Sequence, residues 1–155
     1  MNQLIMVVVN AARTAEVINV PLARRPTSIS PVLLVRPLTF YGDVFGCAVQ
    51  LYTFAEFNRA DGPADAIANG YLTGGPVALF GADVSGDEPP FRSEGMMLAL
   101  LGTAALSILC NWFSRLCEGG RVVDDLQTRP WGASDGQVID RYGLHWLIGF
   151  EATSD

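Results

Sequence analysis

The chain carries one histidine, His145, and three cysteines, Cys47, Cys110 and Cys117. Its acidic side chains outnumber its basic ones, sixteen to ten. Histidine is the side chain best placed to move a proton near neutrality, with an ordinary pKa of ~6.5. His145 is therefore a candidate general base, or a group that orients a polar ligand atom. A working base usually needs an orienting partner. Asp135 and Asp140 are the acids at hand in sequence, and each serves only if folding brings it close. The competing reading is a strand-start histidine, hydrogen-bonded to a neighbour and chemically idle, and that reading is favoured. A Ser-His-Asp triad would rest entirely on this one ring. The cysteines fit no zinc spacing. Cys110 and Cys117 share a helical face at a separation that cannot form a bridge. Buried free thiols in a reducing cytoplasm account for all three.

The polar and aromatic turns offer a second kind of chemistry. Trp131, followed by Gly132, lies in a loop between two β-like stretches. An exposed indole there could stack on a flat ligand, although a packed corner is the preferred reading. Arg129 and Arg141 could clamp an anion, and solvated turn positions are the preferred reading for both. "TGG" at 73–75 reads as a hairpin turn and has none of the pattern of a phosphate loop. The facing of Tyr52, Phe54 and Tyr71 on the middle strands stays open.

The elements that must position these residues follow from composition and periodicity. With 155 residues, half of them apolar, the chain can bury a sizeable core. Only 17% of its residues are charged, which predicts additional buried surface, in a cavity or against a second subunit. All ten basic residues are arginines and the net charge is −6. That balance disfavours nucleic acid and acidic membrane surfaces as partners. The most apolar run, residues 95–116, is broken by Gly102-Thr103, which read as a strand end and a helix N-cap rather than the middle of a membrane span. Residues 1–28 read as an extension, either an added strand or a disordered lead. "SISPVLLV" at 28–35 reads as a buried strand. Leu38, Tyr41 and Phe45 recur at helical spacing, with Pro37 as a first helical residue and Gly46 as the stop. Alternating strands follow, and "VSGDEPPFRSE" forms a polar linker. The second half repeats the order. Residues 95–101 form a strand, Thr103–Cys117 a helix ended by "EGG", and three further strands run to the C-terminal "LHWLIGFE".

This repeat carries specific landmarks: Phe40-Tyr41, "VFG" at 44–46, "EGGRV" at 118–122 and "WGASDGQVIDRYGLHW" at 131–146. With them the chain resembles the vicinal-oxygen-chelate superfamily, and within it the PhnB-like, glyoxalase/bleomycin-resistance type. The resemblance implies an α+β fold of two βαβββ modules whose curved mixed sheet forms a cup. Module one would span 29–84, the linker 85–94 and module two 95–152. Two departures from the family pattern stand out: a first helix shorter by a few residues, and a second helix without the usual acidic first turn.

The resemblance also places the metal-ligand positions of the family. They fall at Ser30, near Leu79, at Met96 and at Leu147. One hydroxyl and three apolar side chains cannot hold a divalent ion, and Glu151 lies four residues beyond the last position. No metal and no other cofactor is expected, and metal-dependent lyase, transferase or dioxygenase activity is disfavoured. Strand alternation then lines the cup with Ser30, Val32, Val77, Leu79, Gly81, Met96, Leu98, Leu100, His145, Leu147 and Gly149, and packs Trp146, Ile148 and Phe150 on the helices. The expected function is metal-free binding or sequestration of a small hydrophobic or aromatic molecule such as an antibiotic. The named contact residues are Ser30, Leu79, Met96, Leu98, Trp131, His145 and Leu147. The expected setting is a cytoplasmic homodimer. The alternatives are a glyoxalase-like enzyme using His145 without metal, and a structural member whose cup is filled by its own side chains.

Overall fold

A computed structural model describes residues 4–10, 20–21, 35–83 and 95–150. Contacts divide the chain into two units, residues 1–92 and 93–155.

Unit one contains β1 (Leu4–Asn10), β2 (Val20–Pro21), helix α1 (Val35–Phe45), β3 (Ala48–Thr53), β4 (Ile67–Thr73) and β5 (Val77–Asp83). Its sheet runs β2-β1-β5-β4-β3, and every pairing is antiparallel. Leu38, Tyr41, Val44 and Phe45 form one buried stripe of α1, at the spacing of a helix facing a sheet. The helix opens at Val35, two residues before Pro37. Pro37 still falls in the first turn, where a missing N–H costs no intrahelical bond. The strand expected over 28–35 is thus corrected at its end: Val35 is helical, and residues 28–34 lie outside the described residues. Gly42 lets the helix approach β3, because a Cβ there would stand 2.8 Å from Val49 Cγ2.

Unit two contains β6 (Leu98–Leu101), helix α2 (Leu106–Cys117), β7 (Arg121–Thr128), β8 (Ser134–Ile139) and β9 (His145–Phe150). Its sheet runs β6-β9-β8-β7, with β6 parallel to β9 and the other pairs antiparallel. Leu109, Trp112, Phe113 and Leu116 of α2 are buried, and α2 lies against β7, β8 and β9. Leu98, Leu100, Val138, Trp146 and Ile148 are buried on the strands. Burying side chains of this size is worth ~1.5–3 kcal/mol each before entropy is counted. The helix begins three residues later than Thr103, capped by Ala105 without a side-chain hydrogen bond. It ends as expected at the glycine pair, where Gly119 takes φ +73° and the Glu118 N–H donates to the Arg115 carbonyl at 3.2 Å.

The two units share a plan of helix followed by a three-strand antiparallel meander. They differ at the fourth position of the sheet. In unit two that place, beside the last strand, is taken by parallel β6. In unit one it is taken by antiparallel β1, from the N-terminal segment. The fold is α+β, with mixed and antiparallel sheets. Among the described residues no helix is long and apolar enough to cross a membrane.

Candidate functional site

The C-terminal turn is built around Asp140, which is only 3% exposed. Its Oδ1 accepts from the Tyr142 and Leu144 N–H groups at 2.8 and 3.1 Å, and its Oδ2 from the Trp146 indole N–H at 2.8 Å. Gly143 closes the turn at φ +89°, and its N–H donates to the Asp140 carbonyl at 2.9 Å. The turn launches β9 with Trp146 and Ile148 into the core. By alternation His145, Leu147 and Gly149 point to the opposite, open face.

Register extends this open face across unit two. Leu147 lies opposite Gln137 and Ala99, and Gly149 lies opposite Asp135 and Leu101. A Cβ on Gly149 would stand 2.9 Å from Asp135 Cβ and 3.0 Å from Leu101 Cδ2. Those two side chains therefore fold over the glycine. His145 Nε2 is 3.1 Å from Gln137 Oε1. A neutral amide gives the ring a partner but no charge. The two candidate acids are engaged elsewhere: Asp140 is committed to its turn, and Asp135 binds Arg129.

Arg129 is held between two carboxylates. Its Nε and Nη2 donate to Asp135 Oδ1 at 3.0 and 2.6 Å, and Nη2 also pairs with Asp124. These bonds push the guanidinium further up and hold the Asp124 carboxyl below the usual carboxylate range. Arg141 donates to the Glu118 carbonyl at 2.8 Å through Nε. The two arginines thus tie turns to neighbouring elements. Burial, with Asp125 nearby, pushes the Cys117 thiol up, so it is poorly disposed to act as a thiolate.

At the end of this face lies an open cleft of about 1010 Å³. Leu101, Leu106, Trp131, Leu147 and Phe150 supply its large apolar side chains, and Asp135 contributes a carboxylate. Trp131 is 73% exposed, and Leu101 and Leu106 are both more than half exposed. The packed corner expected at Trp131 is therefore corrected. The turn at 129–133, closed by Arg129 and Ala133 with Gly132 at φ +94°, holds the indole out of the core.

Several expected contact residues lie elsewhere. Leu98 is 7% exposed and pairs in register with Trp146, so it belongs to the helix-side core, as does Leu100. Leu79 is 1% exposed and shares a face with Val77 and Gly81; Gly81 pairs with Gly70, on the side of Leu72 and α1. Val77 and Gly81 are corrected with it. The physical reason is the period of two: a one-residue slip in placement carries a whole strand to its other face. The open-face residues beside them are Phe80, Ala99 and Leu101. Met96 is half-buried just before β6. Phe150, expected in the core, is half-exposed at the cleft. Leu147 and His145 are on the open face, while Ser30 and Glu151 lie outside the described residues. Among the described residues no three His, Cys, Asp or Glu side chains converge as metal ligands would.

Unit one has an open face of its own. Tyr52 and Tyr71 stack with ring centroids 6.2 Å apart, and Phe57 meets Tyr52 edge-on at 6.0 Å. The Tyr71 hydroxyl donates to Gln50 Oε1 at 2.6 Å, and Phe80 lies beside Tyr71 in register. Phe54 is instead fully buried, with the Arg59 guanidinium 4.0 Å over its ring. Sequence reading missed Leu101 and Leu106 altogether. Their signal was the apolar run around Gly102-Thr103, longer than one strand and one helix need for their cores.

Comparison with known proteins gives a likeness of fold. No family model matches the chain, and no curated protein matches it in sequence. Among solved structures it is similar to a PhnB protein from Bacillus cereus, with a TM-score of 0.57 and 16% identity over 76% of this chain and 90% of that one. It is also similar to protein PA1353 from Pseudomonas aeruginosa, with a TM-score of 0.54 and 24% identity over 76% and 88%. TioX from Micromonospora sp. ML1 aligns at a TM-score of 0.42 and 19% identity, over 79% and 90%. The fold is like that of these PhnB and PA1353 structures, as the landmark residues implied.

Proposed function

We propose that the protein binds a flat, largely apolar small molecule without a metal, in the cleft of unit two. The observation that carries this reading is Trp131. An indole 73% exposed is costly to leave in water, and here it shares a cleft with Leu101, Leu106, Leu147 and Phe150. An exposed apolar patch with an aromatic at its rim is the ordinary signature of a binding surface. The open-face positions Phe80 and Leu147 have no lone pair to offer an ion, which fits a role without metal. His145 bonded to Gln137 supports an orienting or idle ring over a general base.

The test is thermal unfolding of the full chain across a panel of planar natural products. A binder present at about 100 times its Kd should add roughly 2.7 kcal/mol of stability. Trp131→Ala, at an exposed position, should unfold at nearly the same temperature and lose most of the ligand-induced shift. A panel with no shift for any compound, or an undiminished shift in the variant, sinks the reading.

A further inference from the structure

We infer that the ligand class favoured by this cleft is an aromatic cation; this rests on the reading of the cleft as a binding site. Among the described residues that line it, Asp135 is the one ionisable side chain. Those described residues include no arginine and no histidine. The nearest guanidinium, Arg129, makes both its side-chain contacts to Asp135 through Oδ1, and it is shared with Asp124. Two carboxylates around one guanidinium leave a local charge of about −1. The chain as a whole carries −6, so the long-range field attracts a cation as well. The Trp131 indole presents the side chain on which cations bind best.

One feature of the same cleft acts in the opposite sense. Ala105 and Leu106, at the N-terminus of α2, also line it, with no acidic residue in the first turn. That terminus offers a partial positive charge of roughly half a unit, fading within one turn. A formal carboxylate charge, an indole face and the net charge of the chain together outweigh it. The prediction is therefore a positive, planar ligand whose ring lies on Trp131 and whose charge faces Asp135.

The experiment is calorimetric titration of the full chain at neutral pH with three ring isosteres: the 3,6-diaminoacridinium cation, neutral acridine and acridine-9-carboxylate. The cation should bind roughly fivefold more tightly than the neutral ring, and the carboxylate most weakly. Raising salt should narrow the gap, as screening requires. Asp135→Asn should lose the preference for the cation over the neutral ring, and Asp135→Glu should keep it. Should the Asn variant fail to fold, the salt dependence of the parent chain and the Glu variant still decide. Neutral acridine or the carboxylate binding as tightly as the cation would overturn the inference and leave the binding function standing. Absence of binding by all three would overturn it too, and the natural-product panel would then decide separately whether the cleft binds anything.

Discussion

Asp140 shows what a buried carboxylate can do without taking part in chemistry. Its three accepted hydrogen bonds fix the turn, the start of β9 and the edge of the Trp146 ring. In sequence it was one of two acids able to orient His145. In the fold its oxygens are taken, and His145 turns to Gln137. Asp140→Ala would strip three donors of their acceptor in a mostly buried setting. The expected loss is about 3 kcal/mol of unfolding free energy, measured by urea denaturation. A loss under about 0.5 kcal/mol would mean that the turn holds without its carboxylate. The residues around the cleft read less directly. Exposure of Trp131 depends on a turn whose geometry is set by Gly132 and by the Arg129–Ala133 closure, and neither announces in sequence which way the indole points.

At the scale of elements, α2 begins with a cap that does little. Ala105 has extended backbone angles, φ −61° and ψ 149°, which suit an N-cap, but its methyl accepts no hydrogen bond. Ala105→Ser would supply an oxygen for the first free N–H groups. It should stabilise the chain by about 1 kcal/mol, read as a rise in the thermal midpoint. An unchanged or lower midpoint would show that other groups already satisfy this terminus. The helix itself was legible because Leu109, Trp112, Phe113 and Leu116 keep a helical period, and its end because Gly119 must take a positive φ. Its start was not legible: Thr103 is the better capping residue, yet the chain stays irregular through Ala105. The strands from β3 to β9 were equally clear, from alternation and from "TGG" and "DRYG". Facing was clear only on β9, where a tryptophan followed by alternate apolar residues marks the core side. On β5 and β6 both faces carry apolar residues, so alternation in sequence could not choose between Leu79 and Phe80, or between Leu98 and Ala99.

At the scale of the whole molecule, the acidic balance of the chain becomes a statement about pH. Sixteen acids against ten arginines favour solubility at neutral pH, and several carboxylates are tied down in the fold. Asp124 is held below its ordinary range chiefly by its bond to Arg129, and Glu56 chiefly by the Thr53 N–H. A carboxyl whose pKa is lower folded than unfolded binds fewer protons when folded. Its stabilisation is full above the unfolded pKa and fades as pH falls through the folded one. The midpoint of unfolding should therefore be level near neutrality and drop below about pH 4. Arg129→Gln removes the partner of Asp124, so the Asp124 carboxyl should titrate closer to the ordinary value, followed by carbon-detected NMR of the side chains. The variant should also show a shallower loss of stability between about pH 4 and pH 2. The same substitution leaves Asp135 without its guanidinium, raising the negative charge at the cleft. If acid stability in Arg129→Gln falls as steeply as in the parent chain, the Arg129 cluster contributes nothing to it, and the acid transition belongs to other carboxylates.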